Sequence, residues 1–130
     1  MSDEKLNLKE PVFDVMDGDL ITRKYTSVIY TGGKNNEKEP TNFIVLKSED
    51  NSELMKIKFQ DGAIKENGVN GVMNEDVIAM VITRLAYFQT TDFKCRENAC
   101  AITKLEEALM WLRKRTVGRE KRGVEGTHTV

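Results

Sequence analysis

NEDVIAMVITRLAYFQTTDFKCRENACAITKLEEALMWLRKRTVGREKR, residues 74–122, is the stretch whose spacing decides the fold. Its apolar residues recur every three or four positions, the period that gathers side chains on one helix face. Val77, Ile78, Val81, Ile82, Leu85 and Phe88 make one stripe. Ala99, Ile102, Leu105, Leu109, Leu112 and Thr116 make a second, close to a heptad seam. Asn74 is a capping residue type, and Glu75 and Asp76 after it complement the helix dipole. Residues 90–93 break the pattern. The spacing predicts a first helix starting at Asn74 and a second over 94–121.

The second predicted helix is longer by about ten residues, so it overhangs the first by roughly 15 Å at 1.5 Å per residue. Trp111 and Leu112 lie on the overhang. A two-helix hairpin is too thin to make a core, and apolar surface left on it needs the sheet or another chain as cover. A homo-oligomer is the expected consequence.

Upstream of Asn74 the period changes to two. Residues 12–16 read as a short strand closed by Asp17-Gly18, and residues 20–31, rich in Ile, Thr, Tyr and Val, as a second closed by Gly32-Gly33. A polar loop with Pro40 follows. Strands are predicted over 43–47 and 54–59, separated by a polar turn. Met55, Ile57 and Phe59 alternate with Lys56, Lys58 and Gln60, the half-buried antiparallel pattern with one wet face. Residues 63–65 read as a further short strand after Asp61-Gly62. The fold class is therefore α+β: a small antiparallel β-sheet over residues 1–73, then an antiparallel helical hairpin over residues 74–130.

A chain of 130 residues fits one domain, or a core with a modest appendage. The net charge of −1 and a pI near 5.9 argue against a partner that is a nucleic acid polymer, since sequence-independent binders carry a basic total. Residues 1–10 are polar, which predicts no secretory signal, and no apolar run reaches the length of a membrane span. Cys95 and Cys100, five apart on one helix, are poor disulfide partners and read as buried thiols of a reducing cytoplasm.

The strongest local signal lies at residues 113–122, where Arg113, Lys114, Arg115, Arg119, Lys121 and Arg122 are opposed only by Glu120. Arg115, Arg119 and Arg122 share one helix face, with Trp111 a turn earlier. Forked guanidiniums beside an aromatic ring suit a phosphate and a stacked base. A solvated basic helix end that complements the macrodipole uses the same residues. Tyr87, Phe88 and Phe93 gather around the hairpin turn, where core packing is the ordinary role of aromatics. Asn98 is a poor helix former in the first turns of the second helix; it holds its amide against a ligand or faces water. Asn98 and Arg115 are about 26 Å apart along one helix. A pocket containing both must take its arginines from a neighbouring antiparallel chain, and a two-fold interface would make two such pockets.

The polar tail after Arg122 is by default a frayed terminus. His128 has no partners with metal-ligand spacing, and Gly32-Gly33-Lys34 lacks the P-loop spacing. With one His, no nucleophilic Ser turn and no paired carboxylates, the chain offers nothing for acid–base or nucleophilic work and reads as a non-enzyme without cofactor or metal.

The segments CRENA (95–99), TKLEEALMWL (103–112) and RGVEGTHTV (122–130) resemble the hairpin domain of phage signal-sequestering proteins, which comprise anti-CBASS sponges and Thoeris anti-defence sponges. The resemblance covers about residues 70–130. The sheet-like first half resembles the Thoeris branch in layout. The resemblance implies a viral protein in the cytoplasm of the infected bacterial host that holds a nucleotide second messenger without cleaving it. For the Thoeris branch that messenger is glyco-cyclic ADP-ribose. The implied pocket lies between helices of two protomers and uses Phe88, Asn98, Arg115 and Arg119. The family also implies a hexamer, and an independent site for cyclic trinucleotides at Gly126, Thr127 and His128, with Arg122 beside them. The resemblance carries over no assignment of ligand contacts, for or against, to residues 1–70. Two other readings fit the residues: a nucleic-acid-binding regulator using the basic helix end, and a structural phage protein whose hairpin only oligomerises.

Overall fold

The computed structural model describes residues 10–11 and 20–130; the strand predicted over 12–16 and the turn at Asp17-Gly18 lie outside the described residues. Strands β1 (Glu10–Pro11), β2 (Thr26–Gly32), β3 (Pro40–Lys47) and β4 (Glu53–Lys58) form an antiparallel sheet in the order β1-β2-β3-β4. Helices α1 (Ile64–Asn67), α2 (Asn74–Phe88) and α3 (Arg96–Arg122) follow. The fold is α+β, sheet first and helices second. Contacts divide the chain into a sheet unit, residues 1–62 with 69–71, and a helical unit, residues 63–68 with 72–130.

In the sheet unit the register pairs Val28 with Val45 and Tyr30 with Phe43 across β2 and β3, then Phe43 with Ile57 and Val45 with Met55 across β3 and β4. One face therefore carries a continuous apolar patch. Its aromatic row runs from Tyr30 to Phe43 to Phe59, with ring centroids 5.7 and 5.3 Å apart. The opposite face holds Ser27, Asn42, Lys56 and Lys58, but also Ile29, Ile44 and Leu46. Ile44 is buried, at 9% exposure, so this face is wet only toward its β4 edge.

The strand predicted over 20–31 begins late, at Thr26. Arg23 has φ 59°, a left-handed conformation that ends extended pairing, and its carbonyl accepts the Ser48 hydroxyl at 2.8 Å. In the other direction β3 starts at Pro40, inside the predicted loop. Proline is tolerated at the first position of a strand.

In the helical unit, residues 63–65 do not form a strand. The Ala63 carbonyl accepts the N–H groups of Glu66 and Asn67, at 3.1 and 2.8 Å, and Gly68 closes this single turn at φ 71°. A three-residue apolar run carries no period to separate strand from helix. Helix α2 starts at Asn74, but the capping position falls on Met73, whose N–H donates to the Asp76 carboxylate at 2.8 Å. Helix α3 starts two residues later than predicted, since the Lys94 N–H closes the preceding turn on Thr91. Its N-cap is Cys95, whose Sγ accepts the Asn98 N–H at 3.4 Å.

The hairpin turn is tied by Gln89, which donates to the Cys95 carbonyl and accepts the Cys95 N–H, each at 3.0 Å. The C-terminus of α3 is a Schellman motif. Gly123, at φ 74°, donates to the Glu120 carbonyl and Val124 donates to the Arg119 carbonyl, both at 3.1 Å. Helices α2 and α3 pack on each other, yet neither contains a buried residue. Cys95 and Cys100 are accordingly exposed thiols, contrary to the expectation of buried ones.

Candidate functional site

The arginine-rich end of α3 has an uneven pattern of neutralisation. Arg113 pairs with Glu120 at 3.1 Å, and the Lys114 ammonium sits 5.0 Å from the centroid of the Trp111 ring. Arg115 is exposed and has no ion pair or hydrogen bond among the described residues. Arg119, one turn on, is half-buried. Its Nη2 donates to three carbonyls of the tail: Val124 at 3.1 Å, Thr127 at 3.0 Å and Thr129 at 2.7 Å. Arg122 donates to the Val130 carbonyl.

The tail is thus a folded segment and not a frayed one. The Thr127 hydroxyl donates to the Val124 carbonyl at 2.6 Å, and the Thr127 N–H meets the same carbonyl at 3.1 Å. Gly126, at φ 76°, accepts the Lys65 N–H from α1 at 2.8 Å. His128 Nδ1 contacts the Glu66 carboxylate, also on α1. Composition concealed this, because most of the bonds that hold the tail run to its backbone carbonyls, which no residue type announces, with Thr127 and His128 adding side-chain contacts. The one legible signal was Gly123, a glycine just past a helix end.

At the other end of the hairpin, Phe88 closes α2. Its ring stands edge-on to Tyr87 and Phe93, at 5.9 and 6.5 Å, and the Arg84 guanidinium lies 5.1 Å from its centroid. Arg84 was not singled out from sequence, although Arg84 and Phe88 at i and i+4 share a face. Arg84 and Tyr87 border an open groove along α2 with Val72, Asp76, Ala79, Met80 and Thr83. Asn98 is half-buried in the first turn of α3. Phe88 and Asn98 therefore stand near the turn, while Arg115 and Arg119 stand about 26 Å and more along α3 from Asn98. Within one chain Arg119 meets Thr127, but the four residues of the expected messenger pocket do not converge.

Among the described residues no group of three His, Cys, Asp or Glu side chains is placed to hold a metal ion. No helix there is long and apolar enough to cross a membrane.

These features define a class: a short antiparallel sheet joined to a helical hairpin whose longer arm ends in arginines. The chain belongs to the family described as "Acb2/Tad1, hairpin domain", whose model matches residues 51–117, more than half of its length. It is 72% identical over 75 residues to "Thoeris anti-defense 1" of Bacillus phage SBSphiJ7. That match takes in 58% of this chain and 53% of the phage protein, so the chain spans about half the length of this relative. Phe88, Asn98 and Arg115 fall inside the family match. Arg119, Arg122, Gly126, Thr127 and His128 lie beyond it.

Proposed function

We propose that this chain is a phage anti-defence protein that captures a nucleotide immune messenger and holds it without cleavage. Glyco-cyclic ADP-ribose is the first candidate ligand. The observation that carries the reading is the pair Arg115 and Arg119, one helical turn apart, with no carboxylate partner for either among the described residues. Two such guanidiniums suit a pyrophosphate, which accepts bidentate, charge-assisted hydrogen bonds. Family membership and the resemblance to "Thoeris anti-defense 1" support the biological setting.

The pocket in this reading is inter-protomer. Phe88 and Asn98 of one chain meet Arg115 and Arg119 of an antiparallel neighbour in a homo-oligomer, a hexamer in the full form. The folded tail favours a further site in the same protein, in which Arg122, Gly126, Thr127 and His128 take a phosphate of a cyclic trinucleotide. Glycine gives close backbone approach, while threonine and histidine supply hydrogen bonds.

The test is capture and release. Purified protein is mixed with glyco-cyclic ADP-ribose and removed by filtration, then denatured by heat. Depletion from the filtrate and recovery of intact messenger are the expected results. Recovery of an altered molecule makes the protein an enzyme, and no depletion removes the sponge reading. Steeply salt-dependent binding to DNA or RNA polymers in place of the messenger would favour a nucleic-acid regulator.

A further inference from the structure

Resting on the sponge reading above, we infer that Gly118 belongs to the messenger site: its missing side chain leaves a cation-rimmed notch on α3 that admits the phosphate-bearing part of the ligand beside Arg115 and Arg119. Gly118 is the one glycine in α2 or α3. Its backbone angles are ones that any L residue adopts, and no heavy atom stands within 4 Å of the place a Cβ would take, the nearby backbone of the helix apart. Neither a left-handed turn nor a close approach within the chain requires glycine here. Glycine nonetheless weakens a helix interior relative to alanine. The exposed space that it keeps open is of use only to something outside the chain.

The rim of the notch has one sign of charge. Side chains three and four residues away are neighbours on a helix. Around Gly118 those positions are Lys114, Arg115, Lys121 and Arg122, every one basic. None of the four pairs with an Asp or Glu among the described residues. Lys114 lies over the Trp111 ring, and Arg122 donates to the Val130 carbonyl. Arg115 and Lys121 have no hydrogen bond or ion pair among the described residues. A helix of another copy seated in the notch would bury this rim, and buried cations without counter-charges are costly. An anion supplies the counter-charge.

The lean of helical side chains ties the notch to the two proposed arginines. A helical side chain tilts toward the N-terminus and covers the turn before its own Cα. A side chain at position 118 would therefore lie over the turn that carries Lys114 and Arg115. Without it, the stem of Arg115 is bare on that side. A pyrophosphate with a sugar on each end, as in any ADP-ribose, then has room to come down onto the helix and meet two forked guanidiniums. A Cβ would hold it off by the width of a methyl group.

The experiment compares the full chain with Gly118→Ala and Gly118→Leu, with glyco-cyclic ADP-ribose as the probe. Affinity, melting temperature and molecular mass by light scattering are measured for each. Alanine and leucine are strong helix formers, so both variants keep α3. Messenger affinity should fall by roughly ten-fold or more in Gly118→Ala, the discrimination that one misplaced methyl group brings in a fitted site. It should fall further in Gly118→Leu. The melting temperature should hold or rise, and the mass should stay the same. A glycine kept for structure alone would lose stability and affinity together.

Equal messenger affinity in all three proteins overturns the inference and leaves the sponge reading standing. Loss of assembled mass in Gly118→Ala shows that a neighbouring backbone fills the notch, which overturns it as well. Wild-type protein that takes up no messenger removes the sponge reading, and the role of Gly118 with it.

Discussion

Asp61 is 2% exposed and organises the sheet unit through its carboxylate and its backbone. Lys34 and Asn35 donate their N–H groups to the carboxylate, at 2.7 and 3.4 Å, and the Asn35 amide donates to it at 3.2 Å. On the backbone side, Asn70 accepts the Asp61 N–H at 2.8 Å and donates to its carbonyl at 2.9 Å. Burial pushes the carboxyl pKa up, but the donors from Lys34 and Asn35 and the charge of Lys58 outweigh it, and the pKa falls below its ordinary 3.8. A depressed carboxylate stabilises the fold above its unfolded pKa, and that stabilisation is lost as pH drops through the folded value. We predict that the sheet unit loosens as pH falls below 3.8, monitored by Tyr30 fluorescence or circular dichroism. Asp50, lowered chiefly by the Ser52 hydroxyl, adds to the same window. Asp61→Asn should shrink this acid dependence, and an unchanged pH profile would count against the carboxylate as its source. A Cβ on Gly33 would stand 2.8 Å from that carboxylate, so Gly33→Ala should disturb the same network. From sequence, Asp61 was legible only as the first half of an Asp-Gly turn, because its partners lie 9 and 26–27 positions away. Arg115→Ala should cost one to two decades of messenger affinity in a capture assay, since a hydrogen bond to a charged group contributes about 1.5–3 kcal/mol. Its lack of a partner means little change in melting temperature, and intact affinity would place the pocket elsewhere.

Among the elements, α2 and α3 were readable because fifteen and twenty-seven residues give a helical period room to repeat. The ends were less so. Cys95 caps α3, although cysteine is not a favoured capping residue, and the helix begins where Gln89 stops holding the turn. Cys95→Ser puts a stronger acceptor at the same position and should raise the melting temperature, while Cys95→Ala should lower it; a fall in both would mean that the thiol has another role. Residues 63–65 were misread because α1 is a single turn whose companion, the tail, lies some sixty positions on. Within α3, Gly118 is the one position where a poor helix former sits with open space around its Cα. Gly118→Ala should stabilise α3 by about 0.5–1 kcal/mol, seen in thermal melts. A loss of stability or of assembled mass would instead show another backbone lying against Gly118.

At the scale of the whole molecule, the sheet-then-hairpin layout followed from the change of period near Asn74. The proposed messenger pocket does not form within a single chain, because Asn98 and Arg115 lie on one helix at a separation larger than a small ligand. The hairpin leaves Trp111 at 68% exposure, Met110 at 70% and Phe93 at 76%. Burying such side chains contributes about 1.5–3 kcal/mol each, which makes self-association the expected outcome. Light scattering at micromolar concentration should show an oligomer of even order, a hexamer in the full form. A stable monomer would remove the inter-protomer pocket and leave Arg115 as an ordinary solvated charge.

The absence of any buried side chain in α2 and α3 has a consequence for timing. A helix pair that completes its packing only against other copies gains stability with every increase in chain number, so dilution and heat act on it alike. Its melting temperature should climb as the protein is concentrated. On the proposed oligomer, a cell that has just begun to make the protein would accumulate the working form as a power of the chain count. Protection, on the same proposal, would arrive as a threshold and not in proportion to the first molecules made.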